Sequence, residues 1–234
     1  MVIILQTYIN GELVAEKGKS NIPHVDVEIM NNFKAEHVSA NDFKIKDEGK
    51  KVRIIEITEQ QLLTNEVIDN PKVENGCLVC DTERDLLKIA VINRYEKAKP
   101  VVGFIKGFGL VEGAIASSVA HDSHNIIVVG CSDEAMANAV NQIVDTKGGI
   151  AVCSNADKMV LPLPVAGLMS ADDGMKVAND YQKLLEKARK IGTKPEAPFI
   201  TLSFMALLVI PSLKLSDKGL FDAKNFRFVP LLCD

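Results

Sequence analysis

The densest group of chemically useful side chains is His121-Asp122-Ser123-His124-Asn125, preceded at short range by Ser117-Ser118. The chain has 4 histidines, and two of them stand here. Imidazole transfers protons near neutral pH and binds metals. In a tight turn, both rings and Asp122 would project from one end of a sheet toward a ligand. Asp122 could then orient a neighbouring imidazole and fix its tautomer. Ser117, Ser118 and Asn125 would stand beside them as substrate contacts. The same residues also make an ordinary polar turn, in which Asp, Ser and Asn satisfy backbone groups. Both readings remain open at this level.

Two other patterns invite chemistry and fall short of it. Cys77-Leu78-Val79-Cys80 together with the two histidines gives a formal zinc set, but the His spacing is shorter than a finger uses and the pairs are too far apart. On a strand, an odd offset would also send the two thiols to opposite faces. Buried apolar thiols are the expectation. Gly103-Phe104-Ile105-Lys106-Gly107-Phe108-Gly109 has the glycines of a phosphate loop without its Gly-Lys-Ser/Thr ending. A strand, and no helix N-terminus, is expected after it. Glycines that permit close sheet packing explain it better, with Lys106 left as a residue that could face a ligand. No Gly-x-Ser-x-Gly elbow is present.

The elements around these residues are mixed. Leu5 to Val14 reads as a hairpin about Asn10-Gly11. Val52 to Ile57 is strand-like after the turn residues Asp47-Glu48-Gly49, and Gln60 to Leu63 leads into a loop ending near Gly76. Leu86 to Tyr95 is apolar in a way that fits strand or helix. After Pro100 the texture becomes richer in Gly and Ala, which suggests a division into residues 1–99 and 100–234. Val101 to Leu110, Ala114 to Ala120 and Asn125 to Val129 read as strands, the polar insert making a hairpin-type turn. A helix follows Ser132, with Asp133 and Glu134 at the positive end of its dipole and Gly148-Gly149 as its stop. A second helix follows a Ser170-Ala171-Asp172-Asp173 capping box and buries Val177, Tyr181, Leu184, Leu185 and Ile191. Thr201 to Ile210 is expected near the core. The fold class is α+β: a β-rich N-terminal part, then a mixed sheet covered by at least two helices.

Composition limits the partners. The chain has 234 residues, a net charge of −4, 25% charged and 47% hydrophobic residues, enough to bury a substantial core. A mildly acidic balance and 5% aromatics give no footing for nucleic acid or an anionic membrane surface. Met1 to Leu5 lacks the basic flank of a signal peptide, and no apolar run reaches the roughly 20 residues a membrane span needs. Five sparse cysteines fit reduced thiols and a cytoplasmic setting.

Several segments together carry a resemblance. Gly103 to Leu110, Gly113 to Ile126, Leu161-Pro162-Leu163-Pro164-Val165-Ala166-Gly167-Leu168-Met169-Ser170 and Pro198 to Phe204 resemble the C-terminal region of adenine deaminases of the amidohydrolase superfamily. Asn10 to Lys19 is similar to the strand pair that follows that family's barrel. The resemblance implies hydrolysis of adenine to hypoxanthine and ammonia, a step of purine catabolism. It also implies manganese or iron held by a TIM barrel outside this region, so no cofactor is expected within this chain. The N-terminal part would then be an incomplete β-sandwich. The expected partners are adenine, the barrel in cis or as a separate chain, and a second copy of the chain. The isolated chain is expected to be inactive, with His121, Asp122 and His124 in supporting roles. The alternative is a non-catalytic structural, purine-binding or assembly module. One departure stands out: Tyr95 follows Arg94 where the family often has His.

Overall fold

The computed structural model describes residues 3–23, 25–58 and 60–234. Met1 and Val2 of the apolar start, His24 and Glu59 lie outside the described residues. The first unit is an antiparallel hairpin, β1 (Gln6–Ile9) and β2 (Glu12–Glu16), extended by the short β3 (Lys19–Ser20). Asn10 at φ 51° and Gly11 at φ 83° supply the two left-handed residues that a tight hairpin turn demands. Residues 25–39 run without regular structure to a 3-10 turn at Ala40–Phe43.

From there the chain enters one large sheet. β4 (Ile45–Lys46) is peripheral, and β5 (Lys51–Ile57) is the first strand of the main sheet. The segment after Gln60, expected to be loop, holds β6 (Thr64–Asp69) and β7 (Lys72–Glu74). Both are largely exposed and polar, so strand formation there follows from pairing: β6 lies antiparallel along the length of β5, and β7 pairs with β8 (Cys77–Val79). Local sequence carries little of that information.

The ambiguous stretch is β9 (Leu86–Ile92), with every residue buried. Leu87, Ile89 and Val91 face one core and Ala90 and Ile92 the other. A strand buried on both faces shows no alternation, which explains the ambiguity. β10 (Val101–Lys106) ends earlier than the sequence suggests and pairs antiparallel with β9, so strands on both sides of residue 100 share the sheet. β11 (Ala114–Ser117) and β12 (Ile126–Gly130) pair antiparallel, so the polar insert does join a hairpin.

α1 (Asp133–Asp145) starts at Ser132, whose hydroxyl accepts from the Ala135 N–H. β13 (Gly149–Cys153) and β14 (Lys158–Pro162) extend the sheet. α2 (Gly174–Lys190) is capped by Asp173, which accepts from Met175 and Lys176. Ser170 is not the cap; it accepts from the Asp172 N–H in the preceding turn. Of the expected stripe within α2 only Leu184 is fully buried, with Val177, Tyr181 and Leu185 half-buried against the same core and Ile191 buried just beyond the helix. A third helix, α3 (Pro198–Phe204), occupies part of the stretch expected near the core, with Pro198 in its first turn. β15 (Leu213–Ser216), β16 (Gly219–Asp222) and β17 (Arg227–Val229) form a small antiparallel sheet, and β18 (Leu232–Cys233) returns to β5.

The main sheet has nine strands in the order β14-β13-β11-β12-β9-β10-β5-β18, with β6 on the far edge of β5. Only the β5–β10 pair is parallel. α1 and the 3-10 turn cover one face, while α2, α3 and the β15–β16 hairpin cover the other. The protein is therefore α+β. No described helix is long and apolar enough to cross a membrane.

Candidate functional site

The β11–β12 register fixes where the polar insert stands. Ser117 lies opposite Ile127 and Ile150, and Ile126 lies opposite Ile92. The His121–His124 turn therefore caps the sheet end at which β9 finishes and β13 begins. Asp122 and Ser123 are exposed, whereas His121 and His124 are half-buried. The His121 ring lies stacked on Phe204 of α3, centroids 5.0 Å apart at 27°. Its backbone N–H donates to the Ser203 carbonyl, 3.2 Å. The two imidazoles are 5.6 Å apart at 57°.

His124 is the more constrained of the two. Its φ is 52°, a left-handed conformation uncommon outside glycine, and its N–H donates to the Ala120 carbonyl at 2.6 Å. Its ring Nδ1 is buried and lacks a partner. Burial first, and then the nearby His121 and Arg94 charges, hold its pKa below the ordinary histidine value, with Asp122 opposing. Such a ring is neutral at physiological pH and can accept a proton or a hydrogen bond from a ligand. No hydrogen bond or ion pair joins the Asp122 carboxylate to either imidazole among the described residues, so the structure does not place it as their orienting group.

The neighbouring polar residues serve the scaffold. Ser118 is fully buried; its hydroxyl donates to the Gly167 carbonyl at 2.6 Å and accepts from the Gly149 N–H at 2.8 Å. Ser117 accepts from the Val119 N–H, 3.0 Å. Asn125, also buried, accepts from the Arg94 N–H at 3.2 Å. Lys106 ends β10 opposite Leu86, the start of β9, so it stands at the other end of the sheet, roughly 20 Å from the turn at strand rise. The structure thus brings His121, Asp122, His124, Ser117, Ser118 and Asn125 together and leaves Lys106 apart.

The sequence marks Arg94-Tyr95 as a departure from the family pattern but does not show what these two side chains hold. Arg94 is buried, and its guanidinium donates through Nη1 to the Ala166 carbonyl, 2.9 Å, and through Nη2 to the Tyr95 hydroxyl, 3.0 Å. Tyr95 donates onward to the Ser123 carbonyl, 2.9 Å. Gly167, at φ 71°, lets the guanidinium pass: a Cβ there would collide with Nη1. An arginine following an apolar strand, and the Leu-Pro-Leu-Pro-Val-Ala-Gly run, were the signals available for finding this contact. Phe204 also walls a cavity of about 870 Å³ with Ile57, Leu62 and Ile200.

Among the described residues, the formal cysteine and histidine set does not come together. Cys80 lies at the Gly130 end of β12 and donates to that carbonyl at 3.3 Å, so the cysteine and histidine pairs are at opposite ends of the sheet. Burial pushes the Cys80 thiol up to about 11 and Cys131 to about 12, and all five cysteines are free. Among the described residues no three His, Cys, Asp or Glu side chains are grouped to hold an ion.

The chain that forms this helix-covered sheet and its histidine-bearing turn has known relatives. Residues 61–227 match the model of the adenine deaminase C-terminal domain, and the chain belongs to that family. It is 47% identical over 233 residues to an adenine deaminase of Salinibacter ruber, covering 99% of this chain and 43% of the relative. It is 49% identical over 243 residues to one of Methanosarcina mazei, covering 99% and 44%. Against one of a Sulfurovum species it is 50% identical over 227 residues, covering 97% and 41%. The chain thus spans a little under half the length of these relatives.

Proposed function

We propose that this domain serves adenine deamination, adenine and water giving hypoxanthine and ammonia, as the support of a metal-binding barrel outside these residues. The observation that carries this reading is His124: a half-buried imidazole held neutral, with an unpartnered ring nitrogen, at the rim of a sheet. In the joined enzyme His121 and His124 would face the purine, accepting or returning a proton as the amino group leaves. An ion held by the barrel's own residues would supply the activation of water. Adenine, the barrel and a reducing cytoplasmic setting are the partners and place this reading implies.

The test has two arms. Purified chain alone, with manganese or iron added, should release no ammonia from adenine; steady release abolished by a chelator would overturn the division of labour. In enzyme reconstituted with a barrel, His124→Ala should lower turnover by roughly one to several powers of ten. A second reading, a structural or assembly module, draws on the internal bonding of Ser118 and Asn125. It expects His124→Ala to leave both turnover and stability unchanged.

A further inference from the structure

Between the end of β9 and the start of β10, Arg94 and Tyr95 reach the histidine turn from outside it. The Tyr95 hydroxyl donates to the Ser123 carbonyl, 2.9 Å, and the Arg94 N–H donates to the Asn125 side-chain oxygen, 3.2 Å. These two bonds fall on the residues immediately before and after His124. The phenol is itself fixed, because the Arg94 guanidinium donates to it at 3.0 Å and lies 4.9 Å over its ring. The guanidinium is anchored in turn on the Ala166 carbonyl. A tether of guanidinium and phenol thus runs from Ala166 to the exposed side of the turn.

Residues held at left-handed φ relax unless their surroundings over-determine them. At His124 the flanking bonds from Arg94 and Tyr95 do this, together with the bond from its own N–H to Ala120. We propose that Tyr95 is a positioning residue: through Ser123 it holds the turn in the form that keeps the His124 ring packed inward, with its Nδ1 shielded from water. This rests on the reading of the turn as the substrate-facing part of the domain. Tyr95 touches no reacting atom and acts only through the turn.

The groups that bear on His124 are His121 and Asp122 from its own turn and Arg94 from the β9–β10 connection. Tyr95→Phe keeps the ring beneath Arg94 and removes only the hydroxyl. In the full chain, with histidine ring protons followed by NMR against pH, the His124 midpoint should rise by about 0.5 pH or more toward the ordinary value as water reaches the ring. Amide exchange at His124 should quicken, while the strand amides of β11 and β12 keep their protection. An unchanged midpoint with unchanged exchange at His124 would overturn the proposal. Should Tyr95→Phe not fold, the wild-type chain decides: the Tyr95 hydroxyl proton should exchange slowly and show cross-relaxation to residues 123 and 124. A freely exchanging phenol would refute the tether. Neither measurement reads turnover, so the tether and the deaminase reading can fail separately.

Discussion

His124 and Lys214 show how differently burial acts on two bases. His124 stands at a rim, where loss of its charge leaves a useful acceptor. Lys214, on β15, is fully buried; its ammonium donates to the Leu62 carbonyl, 2.9 Å, and burial pulls its pKa from 10.5 to about 8. Below pH 8 both folded and unfolded chains carry the charge, and the folded state bears the full desolvation cost. Between about 8 and 10.5 only the unfolded chain is protonated, so native stability from this group rises with pH across that window. Lys214→Met should therefore be most favourable at pH 7 and lose roughly 3 kcal/mol of that relative advantage by pH 10.5. Urea unfolding at the two pH values checks this, and a constant difference would show that Lys214 sits in a wetter environment. Residue types alone pointed to His121 through Asn125, but not to the scaffold role of Ser118. Its partners, Gly149 and Gly167, lie far along the chain, and no local pattern announces them.

At the scale of elements, β9 organises the site. It sits between β10 and β12, feeds both cores, and delivers Arg94 and Tyr95 just past its end. It also carries Lys88, 1% exposed, whose ammonium donates to Asp133 at the start of α1, 2.7 Å, and to the Phe43 carbonyl, 3.0 Å. One side chain thus pins a helix and the 3-10 turn to the sheet. Lys88→Ala leaves a partly buried carboxylate and a carbonyl without their donor. The expected loss is about 3 to 5 kcal/mol in chemical denaturation, as for a buried ion pair broken on one side. A loss below about 1 kcal/mol would mean that water replaces the ammonium. The hairpin at Asn10-Gly11, β5, the β11–β12 pair and α1 were legible because turn chemistry, alternation or a cap marks them locally. β6 and β7 were not, since polar edge strands take their form from a neighbour. The Asp173 cap was missed because Ser170 offered the same chemistry three residues earlier.

For the whole molecule, the sheet and its two covered faces contrast with the first thirty residues. Ile3, Ile4, Leu5, Tyr8, Ile9 and Val25 are exposed by half or more of their surface. A short hairpin with an open edge and apolar side chains recruits another surface. The chain alone, 25.5 kDa, should therefore run as a dimer or larger species in light scattering. Tyr8→Lys combined with Ile9→Lys should shift it toward the monomer. A monomer before any substitution would refute this.

With β6 along one edge of β5 and β10 along part of the other, the stretch at Lys51 and Val52 that β10 does not reach is closed by β18, Leu232 beside Val52 and Cys233 beside Lys51. Some 180 residues separate these partners. During synthesis, β5 would leave the ribosome long before the strand that seals it, and that seal must wait until residue 233 clears the exit tunnel. Over that interval the Lys51–Val52 stretch of the nascent sheet is open to chaperones or to a neighbouring chain on the same polysome.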